Sequence, residues 1–207
     1  MAVKSSFKNM TICLFSICLV CSALLAGVYV LTAEPIAAAA AAKNEAAIKQ
    51  VLPDEAVTIE EERTVEMDGV TYTYNLAYDE PGNTVGCAIN VSSLGFGGPI
   101  AVKVGFDVNG VIWNTKVLSQ AETPGLGAKC VEPAFSDQFK GFDPAQKKLA
   151  LKKDDGDGVV DAITASTITS RAYVNALQTA VKVFQTIVGT PMPLDEVSGA
   201  TVNKEEE

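Results

Sequence analysis

The chain has 207 residues, room for one ordinary domain and an anchor, and its formal net charge of −9 with no basic patch argues against nucleic acid as a partner. It contains no histidine, which excludes histidine-ligated metal sites and the usual Ser/His or Cys/His catalysis. No metal-binding set and no catalytic residue is expected.

Residues 1–9 carry Lys4 and Lys8, and residues 10–33 that follow hold no charge. That run exceeds the ~20 apolar residues a helix needs to cross a bilayer core. A secretory signal peptide is the rival reading, since the alanines at 37–42 offer a cleavage site. The run is longer than an h-region of roughly 7–15 residues, which favours an uncleaved anchor. Cys18 and Cys21 lack the preceding pattern of a lipoprotein signal. Lys4 and Lys8 predict a cytoplasmic N-terminus, placing the rest of the chain outside, on the periplasmic side of an inner membrane if the source is a bacterium. Cys13, Cys18 and Cys21 read as small apolar residues facing lipid or a partner helix.

Residues 34–53 read as a helical stalk ended by Pro53, which disfavours helix in the residue before it. The globular part is expected over residues 54–190. A strand from Arg63 to Met67, a turn at Asp68-Gly69 and a strand from Val70 to Tyr78 make a hairpin. Further strands are predicted at 84–91, 100–107 and 111–118, the last two joined across Asn109-Gly110. The glycine-rich stretch 94–100 reads as a turning loop. A short helix is predicted around 132–139 and a buried strand at 159–163. Last comes an amphipathic helix from near Ile168, with Tyr173, Leu177, Ala180, Val181, Phe184, Ile187 and Val188 on one stripe, stopped by Gly189 and Pro191. Residues 191–207 form an acidic tail. The fold class is α+β, an antiparallel sheet packed with helices and preceded by one transmembrane helix.

The informative segment is Asp161-Ala-Ile-Thr-Ala-Ser-Thr-Ile-Thr-Ser170. One hydroxyl suffices to cap a helix. Here Thr164, Ser166, Thr167, Thr169 and Ser170 crowd a helix start, where free N–H groups and partial positive charge also suit a phosphate.

This segment resembles the flavinylation motif Asp-x-x-(Ser/Thr)-Gly-Ala-Thr of the FMN-binding domain in the G subunit of the Rnf electron transport complex and in the C subunit of the sodium-translocating NADH:quinone reductase. Asp161, Thr164 and Thr167 match, while Ala165-Ser166 stands where the family usually has Gly-Ala. Glu122-Thr-Pro-Gly-Leu-Gly127 and Gly95-Phe-Gly-Gly-Pro-Ile100 resemble two further family segments, in the family's order. Gln120 stands where the family commonly has histidine. The resemblance implies FMN joined as a phosphoester to Thr167 by a flavin transferase, with Thr164, Ser166 and Thr169 beside it. It implies that Glu122, Thr123, Gly125, Leu126 and Gly127 border the flavin. The implied activity is electron relay among the other membrane subunits of an Rnf complex, an ion-translocating ferredoxin:NAD oxidoreductase, rather than a self-contained enzyme. The chain's length favours the Rnf subunit over its longer counterpart in the quinone reductase. That counterpart, a stand-alone envelope flavoprotein and an envelope binding domain without cofactor remain the alternatives.

Asp195-Glu-Val-Ser-Gly-Ala-Thr201 fits the generic motif letter for letter, but only six charged-rich residues follow it. Thr167, ahead of a helix, is preferred to Thr201. The Asp154-Asp-Gly-Asp-Gly158 run lacks the spacing of a calcium loop and reads as a solvated turn. Trp113 is expected to pack in the core. Cys87 and Cys130 are candidates for a disulfide that nothing in the sequence establishes.

Overall fold

A computed structural model of the chain describes residues 7–189. They divide into two compact units, one ending at Asn44 and one beginning at Glu45. The first is the greater part of a continuous helix, α1 (Phe7–Val51), which contains Pro35. Its apolar stretch is wholly unburied by protein. At about 1.5 Å per residue the uncharged residues 10–33 rise about 36 Å, enough for a bilayer core of about 30 Å. One helix thus carries both the apolar run and the residues that follow it, and it ends two residues before Pro53.

The second unit is built on a six-stranded antiparallel sheet. Its strands are β1 (Thr58–Ile59), β2 (Arg63–Met67), β3 (Val70–Tyr78), β4 (Thr84–Leu94), β5 (Pro99–Asp107) and β6 (Ile112–Ser119). They run in the order β1-β3-β4-β5-β6, with β2 also paired to β3. The β2–β3 hairpin turns at Asp68 and Gly69, both at positive φ (54° and 75°), which matches the right-handed twist of the flanking strands. In the β5–β6 turn Asp107 Oδ1 accepts the N–H groups of Asn109 and Val111, each at 2.9 Å. The stretch read as a turning loop at 94–100 does turn, with Leu94 ending β4 and Pro99 and Ile100 opening β5. Only residues 95–98 turn, closed by Gly95 N–H to the Gly98 carbonyl at 2.9 Å.

Alternation assigns the two faces of the sheet. Ile89, Val91, Ile100, Val102, Val104 and Phe106 point to the helical layer and are buried there. That layer is α3 (Thr167–Val188), whose Tyr173, Leu177, Ala180, Val181 and Phe184 are buried as the stripe predicts, with Phe184 stacked on Phe106 at 4.9 Å. Val188, at the far end of that stripe, is half exposed. Short helices complete the layer: a 3-10 turn at Gly127–Val131, α2 (Pro133–Ser136) and a 3-10 turn at Asp137–Phe139. Phe135, Phe139 and Tyr173 pack ring to ring, and the Tyr173 hydroxyl reaches Thr115 Oγ1 at 2.9 Å. On the opposite face Ile48, Val51 and Leu52 cover Ala77 and Ala88. The approach is close enough that a methyl group at Gly105 would strike the Val51 carbonyl.

Two expectations need correction, and the open question of Cys87 and Cys130 is answered. The segment 159–163 is not a strand, because its backbone meets a partner only at Val160, bridged to Leu151. Of its five residues only Val160 and Ile163 are buried, both within the main core. Trp113 is 42 % exposed, because it is the extra residue of a bulge in the edge strand β6, opposite the step from Gly105 to Phe106. Cys87 and Cys130 are both free and buried in the core. Desolvation pushes the Cys87 thiol up to about 12 and is the first cause, ahead of the Glu122 charge, raising Cys130 to about 11.

Lys103, in the middle of β5, is fully buried and has Asn75 Oδ1 as a partner at 3.4 Å. Desolvation brings its ammonium down to about 8 against the ordinary 10.5, with the Glu62 charge opposing. Between those values the unfolded chain holds more protons, so this group makes stability rise with pH across that window. Comparing the parent with Lys103→Met by denaturant unfolding, the stability difference should move toward the parent by on the order of 1–2 kcal/mol from about pH 7 to about pH 11, after discounting for screening. A pH-independent difference would show that Lys103 keeps an ordinary affinity for its proton.

Candidate functional site

The start of α3 is organised by backbone turns rather than by side-chain capping. Ser166 N–H closes a turn onto the Ile163 carbonyl at 3.0 Å, and this requires Ala165 to stand at φ +60°. That is the left-handed region in which glycine is at ease and alanine is strained by about 1 kcal/mol or more. Ser166 is the N-cap residue, but no side chain caps the helix. A single capping hydroxyl therefore does not account for the crowding in this segment.

Each hydroxyl has its own surroundings. Ser170 Oγ accepts the Ile163 N–H and donates to the Ser166 carbonyl, both at 2.9 Å, so it ties the turn to the helix. Thr169 Oγ1 donates to Glu122 Oε2 at 2.5 Å in a buried position. Thr164 is exposed. Thr167, the first residue of α3, is half-buried and its Oγ1 accepts a hydrogen bond from Lys153 Nζ.

Glu122 is the hub of the loop beside them. Its carboxylate is 6 % exposed and accepts the Thr169 hydroxyl on Oε2 and the Gly97 N–H on Oε1 at 3.0 Å. Its own N–H donates to Gln120 Oε1 at 2.6 Å, so glutamine at the position where histidine was anticipated holds the loop. The surroundings must be small: a methyl group added at Gly95 or Gly127 would collide with this carboxylate. The loop continues through Gly125 at φ 77° and is closed by Leu126 N–H to the Thr123 carbonyl at 3.1 Å.

Between the loop and the helix start lies a cleft of about 360 Å³. Glu122, Thr123, Leu126, Gly127, Ser166, Thr167 and Thr169 line it, so seven of the nine residues singled out from the sequence converge. Thr164 and Gly125 do not line it. Phe96, Ala165 and Ile168 do, and were not among the nine. Phe96 is 71 % exposed, and Leu126 and Ile168 are nearly half exposed, which makes an apolar rim beside a hydroxyl and a helix N-terminus. A run of glycines around Phe96 and the position of Ile168 off the buried stripe were the only hints in the sequence. Lys153 was also missed, because it lies 14 residues from Thr167 in an ordinary lysine pair.

The other motifs are structural. Asp161 pairs with Lys152 at 2.7 Å, and its backbone is held by Gln138. In the acidic run, Asp154 is gripped by Arg171, whose hydrogen bonds and charge hold its carboxyl below the usual range. Asp155 pairs with Lys148. Among the described residues no acidic or cysteine group suits a metal ion. Thr201 lies outside the described residues.

Residues 95–182 match the FMN-binding domain family, and residues 1–51 match the RnfG N-terminal region. The chain is 34% identical over 168 residues to the G subunit of the ion-translocating oxidoreductase complex of Methanosarcina acetivorans, covering 78% of this chain and 86% of that one. The chain belongs to the RnfG family of ion-translocating oxidoreductase complexes. It is also 29% identical over 183 residues to the G subunit of the proton-translocating ferredoxin:NAD(+) oxidoreductase complex of Clostridium ljungdahlii, covering 88% and 91% of the two chains. In fold it resembles the crystal structure of the C subunit of the Na(+)-translocating NADH-quinone reductase from Parabacteroides distasonis, with TM-score 0.50, 23% identity, and coverage of 64% and 79%. The FMN-binding family match spans the whole cleft, from Phe96 to Thr169. With its apolar helix inside the matched N-terminal region, this member of the RnfG family is a single-pass membrane protein.

Two substitutions test this geometry. Ala165→Gly relieves the left-handed strain and should raise stability by about 1 kcal/mol, read as a higher unfolding midpoint. Glu122→Ala orphans the Gly97 N–H and the Thr169 hydroxyl and should cost about 2–4 kcal/mol. A loss below about half a kcal/mol would mean that these donors are satisfied otherwise.

Proposed function

We propose that this chain is the electron-relaying flavoprotein component of an ion-translocating ferredoxin:NAD oxidoreductase complex, with FMN attached as a phosphoester to Thr167. The observation that carries the assignment is the position of the Thr167 hydroxyl. It is the first residue of a 22-residue helix, opens on the cleft, and stands where no side chain occupies the capping place. A phosphate at that point gains free N–H donors and the positive end of the helix together.

The residues present fit an isoalloxazine ring as well as a phosphate. Phe96, Leu126 and Ile168 offer exposed apolar surface around a cleft whose floor is the Glu122–Thr169 hydrogen bond. FMN supplies the one-electron chemistry, and the protein supplies position and electrostatics. Ser166, Thr123 and the Glu122 loop border the ring; Thr169 keeps the Glu122 carboxylate turned inward. A covalent tether makes loading independent of free FMN, which suits a domain held outside the cytoplasm. That placement follows from Lys4 and Lys8 preceding the anchor. Attachment requires a flavin transferase, and the acceptors of electrons are the other membrane subunits of the complex.

Co-expression with a flavin transferase, followed by denaturing electrophoresis and in-gel fluorescence, tests the reading. A fluorescent band is expected for the parent and for Thr201→Ala, and none for Thr167→Ala. A band that survives Thr167→Ala and disappears in Thr201→Ala would move the flavin to the tail; no band in any of them would remove covalent FMN altogether.

A further inference from the structure

The segment between Leu151 and Asp155 passes directly beside the start of α3 and is anchored to it. Asp154 receives Arg171 Nε at 2.7 Å and Nη2 at 2.6 Å, a two-pronged pairing with a residue one turn along the helix from Thr167. Asp154 N–H also closes onto the Leu151 carbonyl at 3.0 Å. Lys153 is therefore held in register with the first turn of α3 by its immediate neighbour, although its own side chain is exposed.

Two nearby lysines are matched with carboxylates. Lys148 meets Asp155 at 2.8 Å and Lys152 meets Asp161 at 2.7 Å. Asp154, the carboxylate next to Lys153 in sequence, is committed to Arg171. Lys153 instead directs its ammonium to a neutral acceptor, the Thr167 hydroxyl. Asp154 feels the Lys153 charge but hydrogen-bonds to Arg171, so among the described residues the ammonium has no carboxylate bonded to it and faces the positive end of a helix, an imbalance of charge. An anion at that oxygen removes the imbalance. The remaining hydroxyls of the segment lack this feature: Thr169 serves Glu122, Ser170 serves the turn, Thr164 lies outside the cleft, and Ser166 lines it with no lysine among the described residues bonded to its hydroxyl.

Resting on the assignment of the phosphoester to Thr167, we propose that Lys153 is the counter-ion of that linkage. Its ammonium donates to the non-bridging oxygens of the phosphodiester, opposite the N–H groups of the α3 start, and so fixes the direction in which the flavin leaves the threonine. Lys153 is a positioning residue, and no bond to it forms or breaks. A phosphodiester carries a single negative charge, so one lysine balances it, and the pair shares the charge-assisted geometry by which ammonium groups hold phosphate oxygens.

The test uses the full chain in detergent, produced with a flavin transferase, and reads the phosphorus resonance by 31P NMR alongside in-gel flavin fluorescence. In Lys153→Gln the resonance should be displaced from the parent position, and Lys153→Arg should restore it. Rising salt should carry the parent toward the Lys153→Gln position, since an exposed pair is screened once the Debye length falls to a few ångströms, about 3 Å at 1 M. A Lys153→Gln resonance that coincides with the parent's at low salt would overturn the proposal. Should Lys153→Gln take up no flavin, labelling of Lys153→Arg supports the charge pairing, and failure of both variants to label overturns it. A parent with no phosphoester signal refutes the Thr167 assignment itself, a result visible before any Lys153 variant is made.

Discussion

The buried carboxylate of Glu122 is the constraint around which the site is arranged. A carboxyl side chain removed from water must be compensated by hydrogen bonds at close range, and Glu122 finds two donors from distant parts of the chain. Gly97 comes from the β4–β5 turn and Thr169 from the first turn of α3. The one group thereby joins the sheet, the loop that bears it and the helix that bears Thr167. Glycine at 95 and 127 follows from the same requirement, because any side chain there would occupy the space of the carboxylate. The glycine-rich turn and the Glu-Thr-Pro-Gly-Leu-Gly loop, far apart in sequence, are two halves of one socket.

The sheet allows this because both faces carry packing. The last turn of α1 covers Ala77 and Ala88 on one face through Ile48, Val51 and Leu52, while α3 covers the other along its apolar stripe. Burying six large apolar side chains, Tyr173, Val174, Leu177, Val181, Val183 and Phe184, at ~1.5–3 kcal/mol each gives α3 a firm seat. A seated helix can tolerate an uncapped N-terminus and a strained Ala165 at its start, costs of about 1 kcal/mol apiece. Strain of this kind persists where the surrounding packing determines the conformation, and here it lies at the proposed attachment point. The tight turn is made here by Ala165-Ser166 with alanine in the left-handed region.

Much of the fold was legible because it is written in local periodicities. The β2–β3 hairpin is announced by Asp68-Gly69 between two runs of β-favouring residues, and its bounds agree to the residue. The stripe from Tyr173 to Phe184 likewise depends only on helical spacing. Residues 159–163 show the limit of that signal: a short apolar run says that a segment is buried without saying whether it has a strand to pair with. Trp113 shows another limit, since a bulge breaks the alternation of the edge strand there and no local spacing announces it.

The uncharged membrane span, the hairpins, the amphipathic last helix and the excess of hydroxyls over what a cap requires can all be read along the chain. Each depends on neighbours within a few positions, where spacing alone dictates which side chains share a face. Folding in three dimensions settles which hydroxyl is open to the cleft, what Glu122 binds, and that Lys153 stands over Thr167. Those facts depend on contacts across 47, 25 and 14 residues of chain, set by sheet register and by the docking of α3, which no local pattern encodes.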